Sequence, residues 1–434
     1  MPIAALPEYI GKQDLASASP GMRFGMYLRL WGENRELKKI DWRTCDRTWN
    51  DKKKRPGWED RENKVTALKG ACELQPGDKA RMRALVERQQ ALAFSANAGD
   101  EVVVFDALAT APFTTGLGNE HPLENGFTFL WPHGLPYLPG SGVKGVLRQA
   151  ARELASGEWG DPLPSPPPQA GEGVTGETSH AGEGDESPSP SGRGVGERAW
   201  DDAAITALFG NEDSNDAKRG ALTFWDVIPD IKGNKLMVEV MTGHQGHYYM
   251  KGETPHESGQ PIPVNYLTVP PKSGFTFHVV CDRPFLRRIA PDLEEGDRWK
   301  DLLQQAFEHA FDWLGFGAKT AVGYGAMRID ESAAQEREEQ AKQQAFEQLT
   351  AEEQQVAECR SIFTDEQNRG QLMAGSQTAQ KRLALLHDAW TWENPEYRRK
   401  AAELIRETLK SLPWSKKQKK QGIAGKLEKL VSGA

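Results

Sequence analysis

The sequence predicts an α+β fold, and three observations support this prediction. Between residues 101 and 330, short strand-like apolar runs alternate with two segments of helical periodicity. A stretch rich in glycine and proline, 162–198, interrupts this region, and the residues after 330 are charged with a helical pattern. The chain has 434 residues. That length is enough for roughly two or three folded units.

Six elements are predicted in the central region, in the order strand, helix, strand, strand, helix, strand. The first helix has Ser141 in the position of an N-cap, and the second places seven apolar residues, from Leu302 to Leu314, on one stripe. This order is ferredoxin-like (RRM-like), an arrangement that many RNA-binding domains share. The elements cover 101–110, 141–155, 220–228, 274–281, 298–315 and 324–330.

The same patterns divide the chain into three parts: 1–99, 100–330 and 331–434. The first part is basic and aromatic, and we expect it to pack on the core, although the same composition also suits RNA binding. In the second part, Gly and Pro make up 15 of the 37 residues of 162–198, so we expect a disordered insertion there.

The third part, 331–434, is predicted to be a helical extension. Residues 371–434 contain thirteen basic and six acidic side chains, with Trp390, Trp392 and Trp414 among them. A solvated amphipathic surface is the simplest interpretation. The alternative is that this basic end contacts RNA or an acidic partner.

Charge and cysteine content exclude several protein classes. The 54 Lys and Arg against 62 Asp and Glu give a net charge of −8, which argues against a globally basic nucleic-acid coat. The four cysteines form no Cys-x-x-Cys pair, so neither a disulfide framework nor a cysteine-based metal site is indicated. No apolar run is long enough for a membrane helix, and the first residues lack a signal-peptide pattern. We therefore expect a soluble cytoplasmic protein without a cofactor.

A tight loop followed by a helix is the first motif with a chemical role. Pro136 to Gly142 form a turn whose N–H groups are predicted to point outward at the start of a helix, where an anion would bind. Lys144 and Arg148 lie four residues apart on one face of that helix. Together they would hold consecutive phosphates of a strand.

The glycine-rich stretch GFGAKTAVGYG, 315–325, is the second motif. Its glycines would let the backbone approach a ligand closely, and Lys319 and Thr320 add a charge and a hydroxyl. Ala318 stands directly before the lysine where a nucleotide-binding P-loop needs glycine, so that class is excluded.

Two further motifs carry acidic or titratable residues. Asp226 follows a predicted strand and is interpreted as a turn cap rather than a catalytic acid. His244, His247 and Tyr248 lie in a glycine-containing loop, where the histidines could act as acid and base in RNA cleavage, although binding or structural use is favoured. A zinc site would need a third ligand, and the nearby His256 has no recognised spacing.

Four of these stretches, taken in order, resemble a known family. GLPYLPGSGVKGVLR, LFG…GALTFWDVIP, the HYY loop and GFGAKTAVGYG resemble the RAMP superfamily of CRISPR-associated proteins, over roughly 101–330. GNEHPLENG and the HYY loop resemble, more closely, the sixth-subunit family of type III-B (Cmr) effector complexes.

The resemblance implies a non-catalytic, RNA-binding subunit of a type III-B effector complex in antiviral defence. It would hold the 3′ part of the CRISPR guide RNA and its duplex with target RNA, beside other RAMP subunits. Specificity would come from base pairing, so the protein would contact the RNA backbone. The residues expected to contact RNA are Ser141, Lys144, Arg148, His244, His247, Tyr248, Gly315, Gly317, Lys319, Thr320, Gly323, Tyr324 and Gly325.

Two enzymatic alternatives stay open. RAMP subunits that cut target RNA carry an Asp in the interval that corresponds to 116–134, and this sequence has none there. A target-cleaving backbone subunit would have to use Glu120, His121 or Glu124 instead. A CRISPR RNA-processing endoribonuclease of RAMP fold would use His244 and His247.

Overall fold

The structure is a computed structural model, and it describes most of the chain. Its contacts divide the chain into two compact units, Met1–Glu331 and Ser332–Ala434. Within the described residues, no helix is long and apolar enough to cross a membrane. The described residues are 3–5, 15–34, 39–41, 43–50, 55–96, 101–157, 200–211, 217–243, 262–373, 375–414 and 423–432.

The N-terminal region is built from short strands and three helices that share the core of the first unit. Strands β1, β2 and β3 form one antiparallel sheet, and β4 pairs with β5. Phe24, Leu30 and Leu68 are buried in the same apolar cluster as the central strands. The elements are β1 (Ile3–Ala4), α1 (Pro20–Gly25), β2 (Arg29–Asn34), β3 (Lys39–Asp41), β4 (Arg43–Asn50), β5 (Arg55–Glu62), α2 (Asn63–Cys72) and α3 (Pro76–Ala96).

The central region contains the sheet on which the candidate site is built. Its first elements are β6 (Val102–Ala109), β7 (Phe129–Leu130), β8 (Leu135–Pro136), α4 (Gly140–Ser156), α5 (Asp202–Phe209), β9 (Leu222–Phe224), β10 (Met237–Gly243), β11 (Ile262–Thr268) and β12 (Gly274–Cys281). They are followed by α6 (Arg283–Ile289), α7 (Pro291–Glu294), a 3-10 turn (Glu295–Asp297), α8 (Arg298–His309) with a π-helical end (Ala310–Leu314), a 3-10 turn (Thr320–Val322) and β13 (Met327–Ile329).

Four of these strands form an antiparallel sheet in the order β13-β6-β12-β9. Phe277 of β12 faces Phe105 of β6 in the register, and Met327 of β13 faces Ala109 at the other edge of β6. Alternate side chains of β12 are fully buried, as expected for a strand with one face on the core. Helices α4 and α8 supply the opposing apolar surface, with Leu147 and Phe307 buried in the same cluster.

The structure confirms the long predicted elements and shortens the short ones. The strand predicted over 220–228 is only Leu222–Phe224, and the one predicted over 324–330 is only Met327–Ile329. Trp225 N still donates to His278 O of β12 at 3.1 Å, and beyond it Val227 forms a bridge with Leu138 instead. Ala221 and Val227 beside β9 and Ala326 before β13 are buried, although none of them belongs to the strand.

The C-terminal end of α4 and the start of α5 are each capped by a residue that hydrogen-bonds to the backbone of the same helix. Gly157 has a left-handed conformation (φ 70°) and donates its N–H to Glu153 O at 2.9 Å. Asp201 accepts a hydrogen bond from Ala204 N at 2.7 Å, as an N-cap does. The predicted disordered insertion, 162–198, lies between these two ends and outside the described residues.

The second unit is helical, as predicted for the C-terminal extension. Arg382 is buried in it, donates to Leu412 O at 2.6 Å and lies with Cζ 4.2 Å from the Trp414 ring centroid. Burial lowers the pKa of this guanidinium. The helices are α9 (Glu331–Glu347), α10 (Ala351–Asn368), α11 (Gln377–Asp388), α12 (Pro395–Ser411) and α13 (Ile423–Ser432).

Candidate nucleic-acid interface

The start of α4 is capped by a carboxylate from another part of the chain. Pro139 occupies the N-cap position in an extended conformation (φ −61°, ψ 138°), and Asp226 Oδ1 accepts a hydrogen bond from Gly140 N at 2.8 Å. Ser141 is therefore not the N-cap, contrary to the prediction, because the helix begins one residue earlier and its first N–H is already bound. Asp226 has the capping role predicted for it.

Gly140 lets the start of α4 lie directly on β9. A Cβ atom at this position would lie 2.2 Å from the carbonyl oxygen of Phe224, closer than any real Cβ contact. Any larger side chain would therefore push the helix off the strand. The close approach places the first turns of α4 beside the residues that precede β9.

A basic groove of about 310 Å³ lies between these elements. One wall carries Ser141, Lys144 and Arg148 of α4, and the other carries Lys218 and Arg219, which lie shortly before β9. Lys144 and Arg148 are half-buried, whereas Ser141, Lys218 and Arg219 are exposed. Four cationic side chains around one groove favour the phosphates of a nucleic-acid strand as the ligand.

The wall before β9 is held in place by its own contacts. Arg219 Nη2 donates to Asp282 Oδ2 at 2.8 Å, and its Cζ lies 5.3 Å from the ring centroid of Phe285. Asn211 Oδ1 accepts from the backbone N–H of Lys218 at 2.6 Å. Arg219 is thus fixed at the rim, with its charge partly balanced by one carboxylate.

Lys218 and Arg219 were not among the predicted RNA-contacting residues. The signal was present in the sequence, as a Lys-Arg-Gly triplet immediately before a strand. Only the structure reveals that this triplet faces Lys144 and Arg148, because the pairing of β9 with β12 determines where it lies.

The glycines of the 315–325 stretch serve the backbone of the protein itself. Gly315, Gly317, Gly323 and Gly325 all have positive φ angles, of 67°, 92°, 87° and 71°. A Cβ at Gly325 would lie 1.8 Å from Phe316 O. The predicted close approach is therefore real, but at this position the neighbour is the chain's own carbonyl and not a ligand.

Lys319 emerges from this stretch onto aromatic rings. Its Nζ lies 4.8 Å from the ring centroid of Tyr266 and 5.6 Å from that of Tyr324, and the two hydroxyls are hydrogen-bonded, with Tyr266 donating at 2.8 Å. Burial lowers the pKa of Lys319 and raises that of the neighbouring Glu239, while the attraction between the two charges opposes both shifts. Thr320 begins the following 3-10 turn and is half-buried.

Tyr324 is buried, so its ring supports Lys319 from below instead of offering a surface to a base. Burial raises the pKa values of both tyrosines, which keeps their hydroxyls neutral. The cluster therefore presents one ammonium group, that of Lys319, which rests on the rings of Tyr266 and Tyr324.

The predicted His244, His247 and Tyr248 lie outside the described residues. The two strands that lead to their loop are described: β10 and β11 pair from Met237↔Thr268 to Gly243↔Ile262. In this ladder Glu239 faces Tyr266, so the base of the hairpin and the Lys319 cluster are in contact.

Two of the three residues that a target-cleaving site would have to use, His121 and Glu124, already contact other parts of the protein. His121 stacks on Phe24 at 3.8 Å between centroids; its Nε2 lies 3.0 Å from Phe24 O, and its Nδ1 accepts from Leu123 N at 3.2 Å. Burial lowers the pKa of this imidazole. Glu124 forms an ion pair with Lys64.

The described part of the chain contains no cluster of side chains that could bind a metal ion. Among those residues, no group of three or more His, Cys, Asp or Glu side chains could hold a metal ion. The cationic groove and the Lys319 cluster are both suited to anions.

Known proteins resemble this chain in its central region. Residues 107–328 match the family model of the RAMP superfamily. A curated relative, the CRISPR system Cmr subunit Cmr6 of Pyrococcus furiosus, is 28% identical over 235 residues, covering 49% of this chain and 63% of the relative. The match thus spans less than two thirds of that relative's length.

Two solved structures are similar as well. The cryo-EM structure of the type III-B Cmr-beta bound to cognate target RNA contains a chain that is 18% identical, with a TM-score of 0.36 and coverage of 62% of this chain and 71% of that one. The crystal structure of Cmr6 from Pyrococcus furiosus is 22% identical, with a TM-score of 0.29 and coverage of 53% and 98%.

Proposed function

The chain belongs to the RAMP superfamily, and from this premise we propose that it is a non-catalytic, RNA-binding subunit of a type III-B CRISPR effector complex. In this role it holds the 3′ part of the guide RNA and its duplex with target RNA, beside other RAMP subunits, in antiviral defence. The likeness to Cmr6 supports the choice of complex.

The observation that carries the proposal is the basic groove. Lys144 and Arg148 stand on one wall and Lys218 and Arg219 on the other, within a volume of about 310 Å³. Such a groove contacts phosphates without reading bases, which is what a subunit needs when base pairing supplies specificity. Lys319 and the proposed contacts of the 315–325 stretch and of His244, His247 and Tyr248 would extend the same track.

A non-catalytic role is supported by the engagement of His121 and Glu124. The stacked imidazole is held neutral by burial, and the carboxylate is paired with Lys64. A general acid or base needs a titratable group within reach of the substrate, and these two side chains are committed to the protein.

The proposal also covers the fold and the location. We infer that the 100–330 region is a ferredoxin-like domain between the 1–99 region and the 331–434 extension. If β6, β9, β12 and β13 are counted as strands 1 to 4 of the ferredoxin-like pattern, their order in the sheet is 4-1-3-2. This order supports the ferredoxin-like fold. We place the protein in the cytoplasm, which the unpaired thiols of Cys72, Cys281 and Cys359 support.

The test is RNA binding by the full chain at several salt concentrations. The double variant Lys144→Ala with Arg148→Ala should weaken binding to a guide–target duplex and lower the salt slope by about two phosphate contacts. The control removes two exposed charges of α3, by Arg83→Ala with Arg88→Ala, and should leave the slope unchanged.

Two results would contradict the proposal. An unchanged slope in the Lys144 and Arg148 variant would mean that the groove does not hold RNA. Cleavage of precursor repeat RNA or target RNA that His247→Ala abolishes would assign the chain to the ribonucleases of the same fold.

A further inference from the structure

The three tryptophans near the basic end of the chain have different surroundings. Trp392 and Trp414 are 7% and 8% exposed and lie in the core of the second unit, whereas Trp390 is 39% exposed. The buried indoles of Trp392 and Trp414 stabilise the unit and cannot contact a ligand. Of the three tryptophans, only Trp390 exposes its ring to a ligand.

Trp390 lines a groove of about 610 Å³ in the second unit. Leu383, Leu386 and Ile423 supply apolar walls, and Lys426 and His387 supply polar ones. Lys426 is exposed and forms no ion pair with any residue in the described part of the chain, whereas His387 lies 3.3 Å from Asp388. Among the described residues, no carboxylate pairs with this ammonium, which stands beside the exposed indole of Trp390.

The C-terminal stretch that supplies Ile423 and Lys426 to this groove is strongly basic. From residue 410 to residue 429 the sequence has seven lysines against one acidic residue, Glu428. Ile423 and Lys426, which line the groove, belong to the helix that directly follows the lysine-rich 415–422.

We infer that the groove at Trp390 binds single-stranded RNA, as a second nucleic-acid surface apart from the basic groove of the first unit. One base stacks on the indole, the apolar walls exclude water from the stack, and Lys426 holds the adjoining phosphate. Stacking on an aromatic ring combined with a basic track is how proteins bind single strands without sequence preference. The local charge favours a polyanion over a neutral apolar partner.

The experiment measures oligouridine binding by the full chain and maps the contacts by photocrosslinking and mass spectrometry. Crosslinks are expected on the peptide that contains Trp390. Trp390→Ala should weaken oligouridine binding by about five- to tenfold, the effect of losing one stacked base. Lys426→Glu should lower the salt slope by about one contact, whereas Lys342→Glu, an exposed lysine of α9, should leave it unchanged.

Measuring the effect of Trp390→Ala in a protein that already lacks Lys144 and Arg148 tests this inference separately from the proposed function. In the Lys144→Ala, Arg148→Ala protein, Trp390→Ala should weaken the remaining oligouridine binding by the same factor, whether or not the first groove binds RNA. Thermal unfolding checks that each variant is folded. If Trp390→Ala does not fold, Lys426→Glu, which changes an exposed side chain, still tests the inference.

Two outcomes would overturn the inference. One is unchanged oligouridine affinity in both Trp390→Ala and Lys426→Glu. The other is that these variants lose binding to a glutamate- and leucine-rich peptide while retaining RNA binding, which would identify the groove as a site for an acidic protein helix.

Discussion

Replacing Gly325 with alanine should destabilise the first unit strongly in the absence of any ligand. Gly325 has a φ of 71°, and a Cβ there would lie 1.8 Å from the carbonyl oxygen of Phe316 and 2.8 Å from its carbonyl carbon. Its N–H also donates to Pro112 O at 2.8 Å, and its own carbonyl accepts from Phe316 N at 2.9 Å. The methyl group cannot be accommodated by a small rotation, because hydrogen bonds hold the backbone on both sides.

The expected loss has two parts. A left-handed conformation costs an L-residue about 1–2 kcal/mol. Forcing a methyl group into a packed position costs typically about 1–3 kcal/mol more. Together they give about 2–5 kcal/mol of unfolding free energy, which is a large fraction of the stability of an ordinary domain.

Urea unfolding of the RNA-free protein measures this loss, with Gly145→Ala as the matched control. Gly145 lies in α4, and a Cβ there would meet nothing within 4 Å. The control should therefore gain roughly 0.8–1 kcal/mol, the difference in helix propensity between the two residues. If Gly325→Ala unfolded at the wild-type urea concentration and lost only RNA binding, the glycine would serve ligand approach and our structural reason for it would be wrong.

Three further predictions follow from buried or capping groups. Because the folded pKa of His121 lies below the ordinary value near 6.5, its contribution to stability is fully present above that pH and declines as pH falls through it. Urea unfolding of His121→Gln should lose this pH dependence, whereas His133→Gln, at an exposed position, should retain it. Asp226→Ala should lower the unfolding free energy by about 1 kcal/mol through loss of the cap on Gly140 N, without weakening RNA binding, and a drop in affinity would refute that separation. Arg382→Ala should destabilise the second unit by about 3 kcal/mol in a denaturation experiment, because it leaves a cavity and an unpaired carbonyl; wild-type stability would show that the buried contacts contribute little.

The sequence predicted those elements whose periodicity is long enough to be unambiguous. The stripe from Leu302 to Leu314 defines one helix, and the alternation over Gly274–Cys281 defines one strand; both occur as predicted. Membership of the RAMP superfamily was also predicted, and it is confirmed.

Short strands and partners distant in sequence could not be predicted in this way. The apolar residues of 220–228 do not distinguish a ladder from a buried loop, since both bury the same side chains. The cap of α4 was assigned to Ser141 because the local sequence contains no Asp226, which lies more than eighty residues further along the chain.

The candidate site was predicted only where its residues share one helix. Lys144 and Arg148 are recognisable from their spacing of four, which needs no knowledge of the tertiary fold. Lys218 and Arg219 become their partners through the pairing of β9 with β12. Tyr324 was assigned to RNA, but its ring is buried beneath Lys319; its RNA contact remains a prediction that the described geometry does not favour.

The self-contained ends of α4 and α5 make their junction a suitable point for inserting a label or tag. Gly157 closes one helix and Asp201 opens the other through bonds to residues of the same helices. A fluorophore-bearing peptide or an affinity tag placed there would leave the caps on either side intact.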